Sequence, residues 1–216
     1  MDASVRTRLS RDDRMEQTLG AAHELFADRG YAAVTMDEIA AAVGVTKPLL
    51  YNYFGNKERL YIACMERAGD SLIKTIAESV GESANPGDAL GAGVRAFFSF
   101  LDTDRAAWAV LFDETLPHGG EVFDRVAAYR GQIVDLVSAS LLAQLPDRHQ
   151  VKVEIEALST ALLGAAEALA RWWLRTEAIS AEEAAELLVS TVEPGLRDRS
   201  TPSAKSSRPK PKGESS

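Results

Sequence analysis

From Thr35 to Phe54 the chain reads TMDEIAAAVGVTKPLLYNYF, and its apolar residues recur at helical spacing on both sides of one glycine. Thr35 with Glu38 forms a T-x-x-E capping box, so a helix is expected to start there. Met36, Ile39, Ala40 and Val43 make its buried stripe. Gly44 falls where the backbone must turn left-handed to leave that helix, a conformation glycine adopts without a Cβ penalty. Thr46 is placed to cap the next helix, and Pro48 lies in its first turn, where a missing N–H costs nothing. Two helices joined by so short a turn cross steeply and leave the second free to enter a major groove.

That second helix divides into two faces. Val45, Leu50 and Phe54 are spaced to point inward, which leaves Thr46, Lys47, Pro48, Leu49, Tyr51, Asn52 and Tyr53 outside. Hydroxyl and ammonium groups bond phosphate oxygens, asparagine can read adenine, and leucine or proline can touch thymine methyls. The bland alternative is a helical hairpin whose tyrosines pack on neighbouring elements.

The run from Leu19 to Leu60 resembles the DNA-binding domain of TetR-type transcriptional regulators. AAxxLFxxxGY (Ala21 to Tyr31), TxxxIAxxxGV (Thr35 to Val45) and LYxxFxxKxxL (Leu50 to Leu60) carry the resemblance. It implies an all-helical homodimer with an amino-terminal three-helix DNA-binding domain and a larger ligand-binding, dimerising domain. It also implies that Thr46, Lys47, Tyr51, Tyr53 and Lys57 meet DNA, chiefly its backbone; Thr35 is a further candidate DNA-binding residue. The family often has histidine where this chain has Tyr53, and glycine where it has Pro48, which leaves base preference open.

The remaining pattern predicts about nine helices in all. The first spans residues 11–29, with Met15, Leu19, Ala22 and Phe26 on one stripe and Gly30 closing it. Asn56 caps a long helix over 57–80, and Asn85-Pro86 opens another that runs to 101. Asp104 caps a short helix ending near 115. Further helices are expected over 121–145, 148–175 and 181–192, the last entered by a Ser180/Glu183 capping box. This gives a flexible basic arm (1–10), a DNA-binding domain (11–60), a ligand-binding and dimerisation domain (61–197) and a disordered basic tail (198–216). The character changes from Pro194 onward, and the segment from Asp198, rich in Ser, Pro and Lys, is expected to be disordered.

Net charge is −8, which at first argues against a nucleic-acid partner. Counterion release, however, depends only on the phosphates contacted, and Lys47, Lys57 and Arg59 cluster around the motif. Arg6, Arg8, Arg11 and Arg14 precede or open the first helix and can reach an adjacent minor groove, or simply form a basic leader. So modest a contact set predicts a moderate salt dependence. Cys64 is the only cysteine, so no internal disulfide is available and a reducing, cytoplasmic setting is expected. No apolar run reaches membrane-spanning length.

Two features of the carboxy-terminal half suggest partners. Phe98, Trp108, Leu111, Phe112, Phe123 and Trp173 are candidates to line an apolar pocket, with an ordinary core as the alternative. Leu158, Leu162, Ala165, Leu169 and Trp172 fall at steps of three and four beside Ala161, Gly164 and Ala168. With Leu188 on the next helix they predict a four-helix dimer interface. Loose likeness to actinobacterial regulators of lipid metabolism, over residues 95–115 and 170–180, implies an acyl ligand; a flat aromatic one is the competing expectation. Arg95, Asp113, Glu114 and Arg130 are the candidate polar groups.

Enzyme chemistry finds little support. His23, His118 and His149 are too widely separated for a metal pair, and no nucleophile elbow, phosphate loop or dinucleotide fingerprint is present. No cofactor or metal is expected. The reading is a ligand-responsive DNA-binding regulator, a repressor released from a palindromic operator by a small apolar ligand. A TetR-type activator, and more remotely a helical scaffold protein, are the alternatives.

Overall fold

The computed structural model describes residues 10–113, 115–116, 119–143 and 151–200. The arm through residue 9, Glu114, His118, His149 and the tail from 201 lie outside them. Among the described residues there are nine α-helices and no strands. They are α1 (Arg11–Ala33), α2 (Met36–Val43), α3 (Lys47–Phe54), α4 (Lys57–Gly81), α5 (Ala89–Thr103), α6 (Arg105–Leu111), α7 (Glu121–Leu142), α8 (Lys152–Thr176) and α9 (Ala181–Ser200).

The amino-terminal helices pack on a small core of Phe26, Val34, Ile39, Leu50 and Leu60. Ser10 opens α1 with a reciprocal capping box to Asp13. Gly30 breaks the helical geometry of α1 at φ 76°, as its role as a stop requires, although helical bonding resumes through Ala33. Its left-handed backbone disfavours any L side chain.

α4 belongs to both halves. Asn56 caps it by accepting the Arg59 N–H at 2.8 Å, and its buried side runs from Leu60 and Tyr61 to Leu72 and Ile76. It packs on α1 and α6 and on α5 and α7. Phe26, Tyr31 and Tyr61 stack edge and face where α1 meets α4. The Tyr61 hydroxyl donates to the Val110 carbonyl at 2.6 Å and so ties α4 to α6.

Several boundaries differ from the sequence pattern. α6 stops at Leu111, because Phe112 leaves helical geometry. The stretch from 86 begins as a short 3₁₀ turn before α5. α9 continues past Pro194 to Ser200 instead of ending. Proline removes one backbone N–H and one helical bond, but its fixed φ is itself helical, so the chain can run on. The expected helix end at Val192 is therefore corrected, as is disorder over 198–200; the tail beyond 200 lies outside the described residues.

Candidate nucleic-acid interface and ligand cavity

The α2–turn–α3 unit assembles from its caps. The Glu38 N–H donates to the Thr35 hydroxyl at 3.3 Å, while Thr35 N–H and hydroxyl donate to Glu38 Oε2 at 2.8 and 2.7 Å. Arg29 adds a bond to Glu38 Oε1 at 2.8 Å. The Thr35 hydroxyl, then Arg29, hold the Glu38 carboxyl down at about 2. Gly44 leaves α2 in the left-handed region, φ 70°.

Thr46 occupies the cap position of α3 but makes no side-chain cap bond. The backbone alone closes the turn, with Leu49 and Leu50 N–H donating to the Thr46 carbonyl. The predicted hydroxyl cap is thus corrected, and the hydroxyl stays exposed beside Lys47, Pro48, Tyr51 and Asn52. Leu50 and Phe54 are buried and Val45 half-buried, so α3 shows two faces. Leu49 and Tyr53 sit at the boundary. Tyr53 is half-buried because it packs edge-on against Phe54 and takes the Arg11 guanidinium over its ring.

The lysines are already engaged. Lys47 Nζ lies 2.8 Å from Asp37 on α2. Lys57 points inward, donating to the Val34 carbonyl at 2.8 Å with its ammonium 4.4 Å from the Tyr31 ring centre. Burial draws its pKa down from the ordinary lysine value.

Two cavities among the described residues of the carboxy-terminal half bear on ligand binding. The larger, about 50 Å³, lies among Ile76 and Val80 of α4, Val94 and Phe97 of α5, Ile133, Leu136 and Val137 of α7, and Leu162 and Ala166 of α8. The smaller, about 20 Å³, is lined by Leu72, Leu111, Phe112, Val126, Tyr129, Arg130 and again Ile133.

The expected pocket residues divide. Leu111 and Phe112 line the smaller cavity. Trp108 stacks on Phe112 at 4.1 Å and so stands behind that wall. Phe98 and Trp173 line neither cavity; they pack edge-to-face at 5.8 Å in the core, where Trp173 Nε1 donates to the Ile179 carbonyl. Phe123 is 50% exposed near the start of α7. Ile133, Leu136 and Val137 line the larger cavity without standing among the candidates from the sequence. Their spacing in α7 puts them on one helix face, but aliphatic residues so spaced are equally the mark of an ordinary core.

The outer face of α8 carries Ala157, Ala161, Gly164, Ala165 and Ala168, all exposed. Trp172 and Leu187 extend it at 38% and 52% exposure, and Leu158 and Leu169 are half-buried on its flanks. Leu162 is corrected from the interface to the cavity wall, and Leu188 is buried against the core.

The candidate polar groups have separate jobs. Arg95 pairs with Glu186 across α5 and α9. Asp113 accepts the Tyr31 N–H. Arg130 pairs with the buried Glu167, through Nε at 2.9 Å and through Nη2. His23 is buried, with neither ring nitrogen bonded and Nε2 3.7 Å from Asp104. Among the described residues no cluster of three metal-ligating side chains occurs, and no helix is long and apolar enough to cross a membrane.

Comparison with known proteins agrees with this geometry. The profile described as "Bacterial regulatory proteins, tetR family" matches residues 19–64, and that described as "Tetracyclin repressor-like, C-terminal domain" matches 86–193. The HTH-type transcriptional activator FasR of Mycolicibacterium smegmatis is 33% identical over 174 residues, covering 79% of this chain and 76% of its own. A TetR-like transcriptional regulator from Rhodococcus superposes with a TM-score of 0.73 at 31% identity, over 88% of this chain and 99% of that one. AibR, solved with isovaleryl coenzyme A and operator DNA, superposes at 0.65 and 25% identity, over 84% and 98%. With both its helix-turn-helix half and its carboxy-terminal half matched, this chain is a member of the TetR family of DNA-binding transcriptional regulators.

Proposed function

We propose that the chain works as a dimer whose two α3 helices enter successive major grooves of a palindromic operator, and that a small apolar ligand in the carboxy-terminal half releases it. The observation that carries this reading is α4. Its first turn supports the DNA-binding unit through Lys57 and Leu60, while Ile76 and Val80 form a wall of the larger cavity.

Ligand sites usually measure about 300–1,000 Å³. A cavity of about 50 Å³ must therefore widen to be filled. Pushing Ile76 and Val80 outward moves α4, and α4 carries that motion to the spacing of the two α3 helices, about 34–36 Å when matched to DNA. The small-residue face of α8, with Trp172 and Leu187, supplies the expected dimer surface.

On DNA, Thr46, Tyr51 and Asn52 form the exposed contact face, and Thr35, Pro48 and Leu49 border it. Lys47 must exchange Asp37 for phosphate, which keeps the salt dependence moderate. Tyr53 and Lys57 support α3 and the start of α4 from behind. The apolar lining favours an acyl species as ligand, in keeping with the acyl-CoA bound by AibR. FasR is named as an activator, and the sign of regulation depends on where the operator lies. A cytoplasmic setting without catalysis fits this role.

Titrating acyl ligands into a preformed complex with selected operator DNA tests the mechanism. Ligand is expected to weaken DNA binding, and DNA to weaken ligand binding by the same factor. Operator affinity unchanged with the pocket saturated would rule the mechanism out.

A further inference from the structure

Ile133 is common to the walls of both cavities. Along α7 the lining residues run Val126, Tyr129 and Arg130 at the smaller cavity, then Ile133, then Leu136, Val137 and Ser140 at the larger. α4 keeps the same order, with Gly69 and Leu72 at the smaller cavity and Ile76 and Val80 at the larger. The cavities therefore lie end to end between α4 and α7. From Arg130 to Ser140 the helix rises about 15 Å at 1.5 Å per residue.

The two ends differ in chemistry. The larger cavity has one polar side chain among its described lining residues, Ser140, whose hydroxyl donates back to the Leu136 carbonyl. The smaller ends at Tyr129 and Arg130. Glu167 engages two of the five guanidinium N–H bonds of Arg130, and that side chain remains 46% exposed. It can accept an anionic group without surrendering Glu167.

We propose that the cavities are two halves of one elongated site, divided by the Ile133 side chain, and that the site takes a single-chain amphiphile with its anionic head at Arg130 and its tail threaded past Ile133. The proposal rests on the reading that the carboxy-terminal half binds an apolar ligand. Isoleucine is stiff at χ1 in a helix, so the partition gives way only when α7 shifts or χ2 turns. Ile133 then sets the chain length accepted, and a tail driven past it is what presses on Ile76 and Val80.

The test is calorimetric titration of the full chain with hexanoate, octanoate, decanoate and dodecanoate, and with dodecanoyl-coenzyme A and methyl dodecanoate. Affinity is expected to rise with length in the parent chain. Ile133→Ala should strengthen dodecanoate binding several-fold, and Ile133→Phe should abolish the gain from octanoate to dodecanoate while leaving hexanoate unchanged. Equal effects of Ile133→Phe on every length, or none, would overturn the partition.

The parent chain should prefer either anionic form over the methyl ester by about tenfold, the worth of one charge-assisted bond. Whichever of dodecanoate and dodecanoyl-coenzyme A binds more tightly identifies the source of the negative charge. The paired substitution Arg130→Met with Glu167→Met, which leaves no buried charge unpaired, should erase that preference. Persistence of the preference would overturn the assignment of the head group. Binding of the dye 1-anilinonaphthalene-8-sulfonate that no chain compound displaces would refute the amphiphile but keep an apolar pocket. Failure of the dye and all chains to bind would refute the pocket itself.

Discussion

The Asp113 carboxylate accepts the backbone N–H of Tyr31 at 2.6 Å, joining the loop after α6 to the end of α1 across 82 positions of sequence. Its other oxygen accepts the Thr115 N–H at 2.7 Å, which fixes the loop's shape. Thr115 in turn closes over Gly30, where an added Cβ would meet its hydroxyl at 3.1 Å. Leu111 and Phe112, immediately before Asp113, line the smaller cavity. The ligand half and the DNA-binding half thus meet at a charge-assisted bond next to the cavity wall.

Asp113→Ala removes that joint. Bonds to charged groups contribute about 1.5–3 kcal/mol, and a comparable loss of unfolding free energy is expected in denaturant titration. The sharper expectation concerns coupling. Ligand should still bind, yet weaken operator binding less than in the parent chain. Unchanged coupling would show that α4 alone carries the signal.

Gly69 faces the ring of Tyr129, and a Cβ there would come within 2.7 Å of it. The ring cannot simply swing away, since its hydroxyl donates to Asp70 at 2.7 Å, with the Glu66 carbonyl 3.3 Å away. Gly69→Ala should therefore destabilise the chain by about 1–3 kcal/mol through overpacking. Adding Tyr129→Ala should recover part of the loss, as read in a double-mutant cycle of thermal unfolding.

The Glu38 capping box predicts an acid limb. Its carboxyl sits at about 2 in the fold, below the ordinary glutamate value of about 4.3. A depressed acid contributes stability that is present above the unfolded value and lost as pH falls through the folded one. The helix-turn-helix should weaken between about pH 4.5 and 2, and Glu38→Gln should flatten that limb in circular dichroism titrations.

Cys64 is buried and donates its thiol hydrogen to the Leu19 carbonyl at 3.6 Å. Burial pushes the thiol up to about 12. A disulfide reagent at pH 8 should leave the folded chain unmodified and react stoichiometrically once denaturant is added. Rapid reaction of the folded chain would point to a redox role for this residue.

The amino-terminal half was legible because its signals are local. Thr35 with Glu38, Gly44, and the spacing of Met36, Ile39, Leu50 and Phe54 each specify backbone geometry within a few residues. The cavity was not, because its walls come from four helices whose packing no short pattern encodes. Phe98 and Trp173 have the composition of a pocket but fill the core, whereas Ile133 and Leu162 are ordinary aliphatic residues given a role by position. The engagement of Lys57 by Val34 and Tyr31 was equally hidden, since its partners lie more than twenty positions away.

The exposed face of α3 is the surface expected to read DNA. Selection of bound sequences from random duplexes tests it most directly, with the parent chain and with Tyr51→Ala and Asn52→Ala run in parallel. Both side chains are exposed and make no core contact, so these substitutions should leave folding intact. An enriched palindrome is expected for the parent chain, weaker enrichment for Tyr51→Ala and altered base preference for Asn52→Ala. An unenriched pool from the parent chain, or identical enrichment by all three, would contradict that role for α3.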